Sequence, residues 1–275
     1  MESIIDDVGH TAFLIAQWRA EETETLSPLY YDHIANIFLS DKSHHMALNI
    51  NDVSPSTKYL VNYRTKFFDD SFSARIKRGF KQIVILGAGL DSRSLRLGEE
   101  SVKVYEIDKE EVLSFKSSKI KAHGYHEKSL YIPIDYVGSD FISCLKEYGF
   151  DCSEKTYFIW EGNSMYLEEG HITSILNNMK KHVAHFEISF DYLSEKLIKG
   201  RTKDIKAENV VHAFSTMNAH WITGFDKINS LAEKVDLSIM EDFLITDLIR
   251  QHQPDQNIDL SLFEDYSICT LSNNK

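Results

Sequence analysis

The sequence predicts an α/β protein built on an open, mostly parallel sheet with helices on both faces, and three observations carry that expectation. Gln82 to Asp91 (QIVILGAGLD) begins with an uninterrupted β-branched and apolar run, too short for a good helix, and passes straight into a turn punctuated by Gly87 and Gly89. Val102 to Asp108 (VKVYEID) is a second such run, ending in a carboxylate 21 residues after the first glycine (87 to 108). Two further strand-like runs, Ser129 to Asp135 and Lys155 to Gly162, again close on acids, Asp135 and Glu161, with helical patterns between them. Strands so continuously apolar are covered on both faces, as in a parallel sheet. Ligands of such sheets bind outside the carboxyl ends of the strands, so one glycine turn and three acids should converge on one crevice.

The turn reads G-x-G-x-D-S-R around Gly87, Ala88 and Gly89. Glycines there let the backbone approach a ligand closely and adopt positive φ at little cost. The third glycine of a dinucleotide fingerprint is missing and no phosphate-cradling lysine follows. An acid at the tip of the next strand lies beside such a turn and can accept hydrogen bonds from both hydroxyls of a ribose. Glu106 and Asp108 share a face of that strand, and Asp108 is favoured because it stands at the tip. Asp91 or Ser92 is placed to cap the short helix carrying Arg93, Leu95 and Leu97.

Before the sheet, residues 11 to 80 show helical spacing (Phe13, Ala16, Trp18; Ile34, Ile37, Phe38) interrupted at Pro28 and Pro55. Residues 1–80 are therefore assigned to a helical accessory segment and 81–275 to the core. In VNYRTKFFDDSF, Phe67, Phe68 and Phe72 face inward, and Arg64 by itself reads as a solvated helix charge. Helices are expected at Glu110 to Lys121, around Phe141, Leu145 and Tyr148, and at Glu168 to Val183. A fifth strand spans His185 to Leu193, a helix Ile228 to Val235, and closing strands lie near Ser238 to Leu244 and Glu264 to Leu271, separated by Pro254. Between them, about 194–225 is polar and irregular, containing His212, Phe214, Met217, His220 and Trp221. An insertion at that point can wall a substrate pocket.

Composition bounds the function. With 43% hydrophobic and 26% charged residues over 275 positions, the chain is an ordinary globular protein. Its net charge of −12 argues against a phosphate-backbone partner, so no nucleic acid is expected. Cys144, Cys152 and Cys269 are odd in number and widely spaced, which fits a reducing compartment and not a zinc site or disulfide framework. The amino terminus lacks a basic and apolar leader pattern, and no apolar run approaches about 20 residues. A cytoplasmic location without membrane contact is the expectation.

The motifs T-A-(x)-A-(x)-R-A-E (Thr11 to Glu21), Y-R-T-K-F-F-D-D, L-G-A-G-L-D-S-R, Y-E-I-D, I-P-I-D and W-E-G-N-S-M-Y-L closely resemble the leucine carboxyl methyltransferase and polyketide-synthesis O-methyltransferase family, densely from residue 11 to about 180. That resemblance implies a Rossmann-like class I methyltransferase using S-adenosyl-L-methionine, with a seven-stranded sheet and an amino-terminal helical lid. It further implies that Arg64 binds the methionine carboxylate, where a guanidinium fork suits a planar acid. Gly87 would lie against that moiety, Asp108 would hold the ribose, Asp135 and Tyr136 would flank the adenine, and Glu161 would line the amino-acid end. Beyond residue 180 no motif matches, so the methyl acceptor, a carboxylate or hydroxyl of a small molecule, is not named by the resemblance.

Methyl transfer from a sulfonium needs binding, alignment and desolvation more than a dedicated base. A hydroxyl acceptor would gain from one, and the candidates are Tyr166, just past the fourth strand, with His123, Tyr192 and His220. His182 and His185 are spaced as a helix end and strand start, with no third metal ligand beside them. Two other classes fit the layout: a nicotinamide-dependent oxidoreductase, which calls for the missing third glycine, and a non-catalytic binding protein on a methyltransferase scaffold.

Overall fold

The computed structural model describes residues 9–202, 205–252 and 262–274. Seven strands form one sheet: β1 Gln82–Leu86, β2 Lys103–Asp108, β3 Leu130–Pro133, β4 Thr156–Trp160, β5 Phe186–Leu193, β6 Ser238–Leu244 and β7 Tyr266–Ser272. Their order is β3-β2-β1-β4-β5-β7-β6. The first five are parallel, while β7 runs antiparallel to both β5 and β6. A seven-stranded, mostly parallel Rossmann-like sheet is thus present. An antiparallel β7 set between β5 and β6 departs from the 3-2-1-4-5-6 order of dinucleotide-binding sheets.

Side-chain alternation along the central strands sorts the core onto two faces. Ile83, Ile85, Tyr157 and Ile159 join the cluster containing Trp18, Leu60, Phe68 and Phe72. Val84, Leu86, Phe158 and Trp160 point the other way, against Ile172, Ile175, Leu176 and Met179. The first face is covered by amino-terminal helices: α1 His10–Thr23, α2 Asp41–Val53 and α3 Ser56–Lys77. Ser40 caps α2 through a reciprocal capping box with Ser43, and Pro55 fixes the entry to α3. α4 Arg93–Leu97 follows β1 and α5 Glu110–Ala122 follows β2; α6 Phe141–Glu147 precedes β4 and α7 Glu169–His182 precedes β5. A smaller cluster of Phe13, Ala16, Ile34, Phe38, Leu90, Val112 and Ile120 ties α1 to α5 and to the end of the glycine turn.

Several expectations shift in detail. The third strand is shorter than Ser129 to Asp135, because Pro133 ends its pairing and Asp135 stands two residues beyond. Tyr148 is the exposed C-terminal cap of α6, not part of its buried face. The 194–225 segment, expected to be irregular, contains α8 Glu195–Ile198 and α9 Ile205–Thr216; α10 Asn229–Val235 and α11 Ile245–His252 flank β6. Ala207, Val210 and Phe214 form the narrow buried stripe of α9, and the extra apolar Val211 and Ala213 beside it blur its period. Pro254 lies outside the described residues. Among the described residues, no helix is long and apolar enough to cross a membrane.

Phe72 is fully buried where α3 meets the sheet. Phe72→Ala should lower the unfolding free energy by about 3–5 kcal/mol, read from urea denaturation. A loss under about 1 kcal/mol would mean that α3 is not firmly docked there.

Candidate functional site

At the carboxyl end of β1 the chain turns through Gly87 (φ 61°) and Gly89 (φ 46°), both in the left-handed region that favours glycine. The turn is also crowded: a Cβ on Gly87 would lie 2.5 Å from Asn163 Oδ1. Asn163 is held there because its Nδ2 donates to the carbonyls of Glu161 (2.7 Å), Leu86 (3.3 Å) and Gly87 (3.4 Å), stitching the ends of β1 and β4 together. The Ala88 N–H continues the ladder to Ile107 O at 3.0 Å. Asp108, at the tip of β2, accepts the Gly89 N–H (2.7 Å) on one oxygen and the Lys109 N–H (2.8 Å) on the other. Burial raises its pKa in spite of those donors. Glu106, the other acid on that face, is fully buried and bound to Lys116, Ser94 and Ser129. The position at the tip therefore selects Asp108 for the cleft.

Beyond β3, the Asp135 carboxylate accepts the Val137 N–H at 3.0 Å, and the buried Tyr136 hydroxyl accepts the Trp160 indole N–H at 3.1 Å. Burial pushes the Tyr136 phenol well above its usual range, so it stays protonated.

Arg64, which alone suggested a solvated charge, is buried. Its Nε donates to Glu161 Oε1 at 2.9 Å, and its Nη1 donates to Asp191 Oδ2 at 3.3 Å and to the Tyr266 hydroxyl at 2.9 Å. Its Nη2 has no partner among the described residues, on a side chain that lines the cleft. Glu161 is shared with Arg93, 2.7 Å from its Oε2. Arg93 also binds Asp91 and, at 2.7 Å, Asp69, and Asp69 passes the chain on to Arg96. From α1, Arg19 Nη2 donates to Leu90 O at 2.6 Å, while its Nε stands 3.5 Å from Asp32 without a hydrogen-bond partner.

These pairings set the charges. Burial opposes the ionised form of Glu161, but Arg93 and Arg64 outweigh it and lower its pKa. Burial opposes that of Asp91 too, and Arg93, aided by Lys116 and Arg19, holds it down to about 2. At Asp191 burial prevails over Arg64, the Tyr266 hydroxyl and the Gly162 N–H, and the pKa is raised. Asp91 bonds the Arg93 N–H, so it caps α4, whereas Ser92 makes no side-chain cap.

All nine residues singled out from the sequence, Arg64, Gly87, Ala88, Gly89, Asp108, Asp135, Tyr136, Glu161 and Tyr166, line one cleft of about 760 Å³. Thr11, Ala12, Ile15 and Arg19 of α1 also line it, as do Phe214, Met217, Trp221 and Ile222 beyond residue 194. Sequence reasoning missed Asn163, Asp191 and Tyr266. A signal for Asp191 existed: Arg64 and Arg75 lie 11 apart on α3, three helical turns, and face Asp191 and Glu187, four apart on one face of β5. Three candidate bases do not reach the cleft. Tyr192 donates to Asp242 at 2.7 Å, His123 is exposed beside Lys119 O, and His220 is exposed beside Ser215. His185 meets Asn274 and His182 stands 3.9 Å from Asp140; no metal-binding cluster occurs among the described residues.

Fold and cleft together define a Rossmann-like α/β protein with its ligand site at the carboxyl ends of the strands. The chain belongs to the leucine carboxyl methyltransferase family, whose model matches residues 12–180. A relative from Mycobacterium avium named "Putative S-adenosyl-L-methionine-dependent methyltransferase" is 36% identical over 183 residues, covering 60% of this chain and 58% of the relative. One of the same name from Mycobacteroides abscessus is 33% identical over 196 residues, covering 66% and 64%. The chain thus spans less than two thirds of the curated relatives it matches. A crystal structure of a DUF574 family protein from Streptomyces avermitilis superposes with a TM-score of 0.65 at 12% identity, covering 98% of both chains. One of a Thermobifida fusca protein gives 0.61 at 12% identity, covering 94% and 93%. At that identity these two structures speak to the fold.

Removing Arg64 strands the buried Asp191 and leaves Glu161 to Arg93 alone. Arg64→Ala should cost about 3–5 kcal/mol of stability, as for breaking a buried pair, measured in urea; a change below about 1 kcal/mol would show that Asp191 is balanced elsewhere. Because the Asp91 pKa in the folded chain (about 2) lies below its unfolded value, its stabilisation is complete above pH ~4 and is lost as pH falls toward ~2. The raised pKa values of Asp108 and Asp191 act in the opposite sense, relieving strain as they protonate. Asp91→Asn should therefore flatten the acid fall in stability between about pH 4 and 2 by about 2 kcal/mol. An unchanged slope would exclude the Asp91–Arg93 pair as its source.

Proposed function

We propose that this chain is an S-adenosyl-L-methionine-dependent O-methyltransferase acting on a small molecule. The observation that carries the reading is the pairing of the Gly87–Gly89 turn with Asp108, whose carboxylate already binds the turn's own N–H at 2.7 Å. The residues present fit the cofactor. At Gly87 a side chain would clash with Asn163, so the turn keeps bare backbone beside the cleft; Asp108 supplies acceptors for ribose hydroxyls, and Arg64 keeps one guanidinium nitrogen unspent for a carboxylate. Asp135 and Tyr136 stand where an adenine would be flanked, and Glu161 orients Arg64. When bound, the cofactor supplies a methyl group on a good leaving group. The chain then has to align the acceptor and exclude water, through α1 on one side and the segment beyond 194 on the other.

The family membership and the names of the relatives support this reading, and the sheet order disfavours a nicotinamide enzyme. A small acceptor is supported by the enclosed size of the cleft and by the net charge of −12, which opposes a nucleic-acid substrate. Tyr166 serves as a hydrogen-bonding group, since burial raises its pKa away from that of a base at neutral pH.

Calorimetric titration joined to a turnover assay tests the reading. S-adenosylmethionine binding with methylated product is expected; binding without turnover across an acceptor panel would indicate a non-catalytic scaffold, and binding of NADH instead would overturn it. In the same titration Asp108→Ala should weaken cofactor affinity by about 1.5–3 kcal/mol, the scale of hydrogen bonds involving a charged group. Unchanged affinity would remove Asp108 from the site.

A further inference from the structure

Resting on that reading, we propose that Arg19, carried by α1, is a second ligand of the cofactor's amino-acid carboxylate and shares it with Arg64. The helix itself brings the side chain there. Thr11, Ile15 and Arg19 are four residues apart, so they lie along one face of α1, and that face lines the cleft. Arg19 Nη2 donates to Leu90 O at 2.6 Å, the carbonyl just past Gly89, and the Ala12 methyl lies 3.7 Å from where a Cβ on Gly89 would stand. The helix therefore rests directly on the glycine turn.

Those contacts leave part of the guanidinium unused. Arg19 is only 4% exposed, and its enclosed Nε stands 3.5 Å from Asp32 without a hydrogen-bond partner. Its Nη1 makes no hydrogen bond among the described residues and, unlike Nε, is not sealed off from the cleft. Asp32 is a poor counter-ion for it. That carboxylate already accepts the Ser92 hydroxyl at 2.7 Å and the Ala35 N–H at 3.0 Å, and Arg96 stands 3.4 Å from it as well. A nearly buried arginine with an open N–H and half of one acid for company calls for an anion.

The charge of Arg19 is felt at one end of the cleft. Burial opposes the ionised forms of Glu161 and Asp91, and Arg93 overcomes it with help that in both cases includes Arg19. At Asp108, where burial prevails, the basic neighbours are Lys116 and Lys109 instead. With the ribose on Asp108, Arg19 stands toward the amino-acid end, where Arg64 Nη2 is also open. A carboxylate has two oxygens, and guanidinium groups from two different helices can each take one. Arg64 belongs to α3 and Arg19 to α1, so the carboxylate bridges two helices of the amino-terminal cover. A ligand made of the adenosine alone leaves that bridge unformed.

The test titrates the whole chain with S-adenosylhomocysteine and with methylthioadenosine, which keeps the adenosine and the sulfur but has no amino-acid end. Arg19→Gln retains a donor for Leu90 O and removes the charge. It should weaken S-adenosylhomocysteine binding about tenfold or more, the scale of a charge-assisted hydrogen bond, while methylthioadenosine affinity stays unchanged. Equal losses for both ligands would show that Arg19 only braces the turn, and no loss for either would show that it touches neither. Each of those results overturns the inference while the methyltransferase reading stands. Should Arg19→Gln not fold, a crystal structure of the unmutated chain with S-adenosylhomocysteine decides: Arg19 Nη1 within about 3.2 Å of a carboxylate oxygen is expected, and Nη1 turned away from the ligand overturns the inference. If the unmutated chain binds no S-adenosylhomocysteine, both fall.

Discussion

The ion-pair chain centred on Arg64 is the constraint on which the cleft depends. One guanidinium, carried by α3, holds acids from two different strands, Glu161 after β4 and Asp191 in β5, together with the Tyr266 hydroxyl of β7. Glu161 then reaches Arg93 behind β1. A helix, three strands and the helix after the glycine turn are locked in mutual register by groups that cannot separate without leaving a charge buried. The walls of the cleft are therefore fixed before any ligand enters, which is what a site built on alignment requires.

That arrangement also accounts for uneven ionisation. Acids facing two guanidinium or other basic groups, such as Glu161 and Asp91, are driven toward the charged form, while Asp191 and Asp108, held largely by dipolar donors or a single arginine, are pushed by burial toward the neutral one. Perturbed carboxylates gathered at the strand ends of an α/β sheet are the electrostatic mark of a functional cleft. The region toward α9 has the opposite character, lined by Leu60, Val61, Met165, Phe214, Met217 and Trp221.

Much of this was legible in the sequence because the signals are local. The QIVIL run, the glycine turn and the acids closing three strands each lie within a few residues, and their convergence follows from the rule that parallel strands present their carboxyl ends together. Asp108 was separable from Glu106 because a strand tip faces a crevice and a strand middle faces the core. What stayed hidden is non-local. Asp191 sits inside an alternating strand, and only its match to Arg64 across 127 residues gives it meaning. Asn163 matters through the space a Gly87 side chain would need. The α9 helix was obscured because its buried stripe is only Ala207, Val210 and Phe214 wide. Tyr192 and His220 resembled bases by type, and tertiary placement turned them toward Asp242 and Ser215.

The most direct measurement is a crystal structure of this chain with S-adenosylhomocysteine. The account predicts the ribose on Asp108, the amino-acid carboxylate on Arg64 Nη2, and the Arg64–Glu161–Asp191 contacts unchanged. A ligand bound away from the Gly87 turn, or an Arg64 that abandons both acids to reach it, would contradict the account.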